Sequence, residues 1–103
     1  MTRTERLEKV IENLGRNMAR LQRENYRLEC INSDIYFKWV RHPATDAHAA
    51  LECEVEMNIT SANVARIVAN ERRLKRQTEL YGQLLYTYSV MFQEDLSRVL
   101  RLN

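Results

Sequence analysis

Apolar residues recur at spacings of three and four through the first part of the chain. Leu7, Leu14, Leu21, Leu28 and Ile35 fall seven apart, and Ile11, Met18, Asn25, Asn32 and Trp39 fill the alternate positions. The pattern predicts a helix over about 4–41 with these ten residues as a coiled-coil seam, a rod of roughly 55 Å at 1.5 Å per residue. Asn25 and Asn32 are costly in an apolar seam, and in a two-stranded coil such residues fix register and oligomeric state. His42-Pro43 ends the helix, because proline lacks an amide proton and pushes the residue before it out of the helical region. Thr45 or Asp46 can cap a second, short acidic helix over about 46–57, with Leu51 and Val55 as its apolar contacts.

Asn58-Ile59-Thr60-Ser61 groups β-branched and cap-type residues. A third helix over about 62–101 can start there, or the helix can run straight through. Beyond it the period returns as Val64, Ile67, Glu71, Leu74, Thr78, Tyr81, Leu85, Tyr88 and Phe92, with Leu96 and Val99 further on. Leu80, Leu84 and Met91 mark a second apolar face on the same helix, and a helix apolar on more than one face belongs inside something larger. The expected fold is therefore all-α and elongated, with little independent core. It divides into an N-terminal heptad-repeat helix (1–41), an acidic connector (42–61) and a basic-to-aromatic C-terminal docking helix (62–103).

The flanking positions bear on what covers the seam. With the leucines at d, Glu24 falls at g and Glu29 at the next e, so a parallel homodimer would set like charges against each other. Asn17 with Gln22 is neutral, and Gly15 offers Val10 no side chain to meet. A different helix is the favoured partner, either from another protein or from later in this chain. In the second case the two long helices fold back as an antiparallel hairpin, which covers only part of the surface from Leu80 to Phe92.

Composition adds little to this picture except in its distribution. Two Gly and one Pro in 103 residues suit long helices. The net charge of +2 is mild, but nine basic and six acidic residues up to Arg41 give way to none and four from His42 to Ala62, then seven and four beyond. Cys30 and Cys53 stand in no paired-cysteine motif and suit reduced thiols in an intracellular protein. No secretory leader is expected at the N-terminus, so the sequon Asn58-Ile59-Thr60 carries no weight. His42, His48, Cys30 and Cys53 match no zinc spacing, and no phosphate loop or nucleophile–base arrangement is present. The chain is thus expected to be no enzyme, with no cofactor, metal or small-molecule substrate. A basic-zipper factor would need a long basic helix just before the first leucine, where only Arg3 and Arg6 stand, so no nucleic-acid partner is expected. No apolar run reaches the roughly 20 residues that span a bilayer. Four basic residues, Arg72, Arg73, Lys75 and Arg76, suit either a solvated helix face or, beside the apolar segment, contact with an acidic protein surface.

The order Arg72-Arg73-Leu74, Arg76, Leu80, Leu84-Leu85, Tyr88 and Phe92-Gln93-Glu94-Asp95-Leu96 resembles the C-terminal helix of the cilia- and flagella-associated protein 141 family, short inner components of axonemal doublet microtubules. Arg41-His42-Pro43 corresponds to a proline break upstream in that family. The resemblance covers at most the last 60 residues or so. Ser97-Arg98-Val99-Leu100 replaces the family's hydrophobic tail, and the N-terminal repeat has no counterpart there. The resemblance implies a structural microtubule inner protein of the cilium or flagellum, cytoplasmic and cytoskeletal, with tubulin and other helical inner proteins as partners. Leu80, Tyr81, Leu84, Leu85, Tyr88, Met91, Phe92 and Leu96 would then form its apolar docking surface, and Arg72, Arg73, Lys75 and Arg76 would meet acidic tubulin. The alternative expectation is a coiled-coil adaptor subunit of another cytoplasmic or nuclear complex, with the Leu7–Trp39 seam as its binding element.

Overall fold

The computed structural model describes residues 1–102, with side chains to Arg101. Its described residues form two α-helices and no strand: α1, Arg3–Arg41, and α2, Ala47–Leu102. The all-α architecture of two long helices with little compact core is as the periodicity predicts.

Both helices begin on side-chain caps. Thr2 Oγ1 accepts from the Glu5 amide at 3.1 Å, in a Thr-x-x-Glu order that is the signature of a capping box. Asp46 Oδ1 accepts from the Ala49 amide at 2.7 Å, so Asp46 rather than Thr45 starts α2. Lys38 and Arg41 in the last turn of α1 complement the negative end of the helix dipole just before Pro43.

The short acidic helix expected over 46–57 is no separate element; it is the opening of α2, which passes through Asn58–Ser61 unbroken. Thr60 explains why. Its hydroxyl donates back to the Glu56 carbonyl at 3.1 Å, the in-helix use of a threonine, instead of accepting from an amide as a cap would. Asn58 and Ser61 stay exposed, and neither side chain is bonded to the backbone.

The contacts group the chain differently from the linear division into 1–41, 42–61 and 62–103. One unit runs from Leu21 to Arg73, and the other joins Met1–Arg20 to the residues from Leu74 onward. In each, a stretch of α1 lies antiparallel to a stretch of α2, so each unit draws on both long helices. The inward positions of α2 keep the spacing of three and four throughout: Cys53, Glu56, Thr60, Asn63, Ile67 and Asn70 in the Leu21–Arg73 unit, then Leu74, Gln77, Tyr81, Leu84, Tyr88 and Met91 in the other.

Val64, Leu85 and Phe92, which the apolar period included, point outward, as do Glu71 and Thr78. Ile67, Leu74, Tyr81 and Tyr88 hold the expected phase. The alternate inward row is Asn63, Asn70, Gln77, Leu84 and Met91, one residue earlier than the apolar pattern suggests.

Candidate docking faces

The seam of α1 is used within the chain. All ten predicted residues face inward: Leu21, Asn25 and Leu28 are buried, while Leu7, Ile11, Leu14, Met18, Asn32, Ile35 and Trp39 are half-buried. Asn25 and Asn32 do the registering expected of seam asparagines, but against α2 of the same chain. Asn70 Nδ2 donates to Asn25 Oδ1 at 2.8 Å, and Asn63 Nδ2 donates to Asn32 Oδ1 at 3.0 Å. Asn32 Nδ2 in turn donates to the Thr60 carbonyl at 3.3 Å. A shift of one turn would leave these amides without partners, which is how a buried polar pair selects one alignment.

Charged groups close the rim of the same unit. Arg66 Nε donates to Glu24 Oε1, and Asn70 reaches that carboxylate too, at 3.3 Å. Lys38 Nζ donates to Glu56 Oε1 at 2.6 Å and to Glu52 Oε1 at 3.4 Å, while Trp39 Nε1 donates to Glu56 Oε2 at 2.7 Å. The hydrogen bonds from Arg66 and then Asn70 hold the Glu24 carboxyl below its ordinary range, and those from Lys38 and then Trp39 do the same for Glu56.

The unit formed by the chain ends is built from larger apolar groups. Gly15 lies beside Tyr81, whose Cε2 is 3.7 Å from the point a Cβ would occupy, an ordinary contact distance. Tyr88 donates its hydroxyl to Glu8 Oε1 at 2.6 Å, which raises the phenol above its ordinary pKa. Thr4 Oγ1 donates to Asp95 Oδ2 at 3.0 Å, and Arg3 comes within 3.8 Å of Glu94. Gln77 Oε1 is buried without a hydrogen-bond partner.

The eight apolar residues expected to dock divide evenly. Tyr81, Leu84, Tyr88 and Met91 turn inward, whereas Leu80, Leu85, Phe92 and Leu96 remain 45%, 42%, 53% and 49% exposed. Arg72, Arg73, Lys75 and Arg76 are all exposed, and none makes an ion pair among the described residues.

Two features escaped the sequence reading. One is an acidic row, Glu5, Glu8 and Glu12, exposed along one side of α1. Heptad positions b and e, which share one side of the helix, would have revealed it. The other is a set of exposed apolar side chains near the end of α1, Tyr36, Phe37 and Val40, hidden because they lie off the seam period. Leu51 and Val55, expected as the apolar contacts of the acidic segment, are exposed as well, because the inward positions there are Cys53 and Glu56.

No group of three or more His, Cys, Asp or Glu side chains converges among the described residues, and Cys30 and Cys53 are both free. No described helix is long and apolar enough to cross a membrane. The class defined by this geometry is an antiparallel helical pairing with its seam occupied and further apolar surface left open. No family model, curated protein or solved structure matches the chain.

Proposed function

We propose that the chain is a structural, non-catalytic protein that docks through the outward residues of α2, and specifically an inner component of ciliary or flagellar doublet microtubules. The observation that supports this most is the exposed group Leu85, Phe92 and Leu96 on one side of a helix whose inward side is already packed, with Leu80 exposed on the other side. Burying such a group at a partner removes apolar surface from water, at about 25 cal/mol per Å² before the costs of association. Arg72, Arg73, Lys75 and Arg76, exposed and free of ion pairs among the described residues, offer forked and point-charge donors to the carboxylates of tubulin. Tubulin and other helical inner proteins are the partners in this reading, with hetero-assembly rather than a parallel homodimer. It requires no cofactor, nucleic acid, membrane or small-molecule substrate.

The experiment is fractionation of isolated cilia. The protein is expected to stay with the doublets after detergent removes the membrane and moderate salt removes the matrix. Recovery wholly in the soluble fraction would contradict the reading.

One observation favours a second reading, an adaptor subunit of another cytoplasmic or nuclear complex. Tyr36, Phe37 and Val40 are exposed beyond the buried part of the α1 seam and offer such a partner an apolar surface. The seam itself, Leu7 to Trp39, is no longer free to be the binding element. An adaptor of this kind would lose its partner on Tyr36→Ser with Phe37→Ser, and would keep it on Phe92→Ser.

A further inference from the structure

The two rims of the chain-end unit are chemically unlike. On one, Arg3 approaches Glu94 at 3.8 Å. On the other, α1 presents Glu5, Glu8 and Glu12, and α2 presents Leu85, Phe92 and Leu96, all exposed. Between them lies a shallow groove of about 240 Å³ lined by Glu8, Ile11, Glu12, Leu85 and Tyr88. Its floor is apolar, and its α1 wall is a row of carboxylates at spacings of three and four, which places them on one side of the helix. Tyr88 fixes Glu8 at that wall. Glu5 and Glu8 have no ion-pair partner among the described residues, and Glu12 has only Arg16, exposed and 3.9 Å away. The α2 wall adds no positive charge, since no Lys or Arg occurs from Gln77 to Ser97.

Gly82 belongs to the same side of α2, three residues before Leu85. Nothing lies within 4 Å of where its Cβ would be, so no contact inside the unit calls for a glycine. A helix-interior glycine costs roughly 0.5–1 kcal/mol relative to alanine. Open space there lets another helix approach closely.

We infer that this groove takes an amphipathic helix of another protein whose apolar stripe is flanked by Lys or Arg. Charge complementarity selects the occupant. Leu85, Phe92 and Leu96 supply the apolar contact, and Glu5, Glu8 and Glu12 meet the basic flank. Helix-in-groove recognition reads anchors at i, i+3, i+4 and i+7, which the spacing of Leu85, Phe92 and Leu96 can engage. The inference rests on the outward row being a docking face, and it separates that face from the basic residues at 72–76. An acidic surface would suit those arginines, but it would be repelled by the wall of carboxylates.

The full chain is titrated with two labelled peptides of about three heptads, identical in their leucine stripe and carrying either Lys or Glu at the flanking positions, with anisotropy as readout. The Lys-flanked peptide should bind saturably, at least about tenfold more tightly than the Glu-flanked one, and more weakly as salt rises. Phe92→Ser and Gly82→Leu should each weaken it at least about tenfold, and Glu5→Gln with Glu8→Gln and Glu12→Gln should remove the difference between the peptides. Circular dichroism checks that each variant keeps the parent's helicity. Gly82→Leu has open space to enter, so it remains informative if Phe92→Ser misfolds.

Equal or tighter binding of the Glu-flanked peptide, absence of saturable binding of the Lys-flanked one, or binding indifferent to all the variants would overturn the inference. So would sedimentation showing dimers of this chain that Phe92→Ser abolishes, since a second copy would then be the occupant. Tubulin is absent from this assay, so loss of doublet association and loss of peptide binding are separate results.

Discussion

The Leu21–Arg73 unit and the unit made by the chain ends pair their helices at the same spacing of three and four, but with opposite chemistry. In the first, α2 contributes Cys53, Glu56, Thr60, Asn63 and Asn70 to the inward row, with Ile67 its only large apolar residue. Its partners are found by hydrogen bonds: Asn25 to Asn70, Asn32 to Asn63, and Lys38 with Trp39 to Glu56. In the second, Leu74, Tyr81, Leu84, Tyr88 and Met91 face Leu7, Ile11, Leu14 and Met18, and apolar side chains also remain on the outside. Hydrogen bonds between fixed groups choose one alignment and add little net stability, whereas apolar burial adds more but tolerates several alignments. The comparison teaches that polar pairing and apolar pairing are assigned to different stretches of the same two helices.

The largest expected effect comes from the few apolar residues that support the polar row. Leu21 is 3% exposed, and Leu21→Ala should cost about 2–5 kcal/mol, lowering the thermal midpoint of the circular dichroism signal. A loss well below that range would mean that the Leu21–Arg73 unit does not depend on its apolar layer. Next is Asn70, also 3% exposed, which donates to both Asn25 and Glu24. Asn70→Ala leaves Asn25 buried and unpartnered, at about 1–3 kcal/mol in denaturant unfolding. Replacing Asn25 and Asn70 together by leucine should recover most of that loss and give mixed oligomeric states in sedimentation, because the element that fixes the alignment is gone. Retention of a single species by the double variant would show that the pair does not set register.

In the chain-end unit the corresponding change has the opposite sign. Gln77→Leu removes a buried carbonyl oxygen without a partner, and should stabilise by about 1 kcal/mol on the same denaturant scale. Gly82→Ala should add roughly 0.5–1 kcal/mol, since no neighbour stands in the way.

The smallest effect is that of pH. Glu24 and Glu56 are held below their ordinary pKa by hydrogen bonds in the folded chain, so their contribution is full above the unfolded value of about 4.5 and is lost as the pH falls through the lower folded values. Acid should therefore lower the melting midpoint, and Glu24→Gln with Glu56→Gln should flatten that dependence.

The extent to which this was legible in the sequence follows from the same contrast. Every seam residue of α1 was readable, because large apolar side chains mark nearly all of its inward positions. The inward row of α2 was not, because between Cys53 and Asn70 it is mostly polar, and beyond Leu74 apolar residues stand on both sides of the helix. Val64, Leu85 and Phe92 drew the apparent period one residue away from Asn63, Leu84 and Met91. What settles the phase is the pairing of amides on α2 with Asn25 and Asn32, a relation between two helices that no single helical pattern contains. Asn58–Ser61 looked like a break for a related reason: Thr60 has both a cap and an in-helix use, and the bonds to Glu56 and Asn32 select the second. The outward row was half-visible, since the eight candidates could be named but not divided. The acidic wall at Glu5, Glu8 and Glu12 becomes relevant only once α2 is known to lie beside it.

The central claim is that the outward row docks the chain while other residues fold it. Its most direct test is fractionation of ciliary doublets carrying either the parent chain or the Phe92→Ser, Leu96→Ser variant, with both melting curves recorded on purified protein. The account predicts equal helicity and closely similar melting midpoints, with the parent chain retained on the doublets and the variant released into the soluble fraction. Retention of the variant together with the parent chain, or release of both, would contradict it.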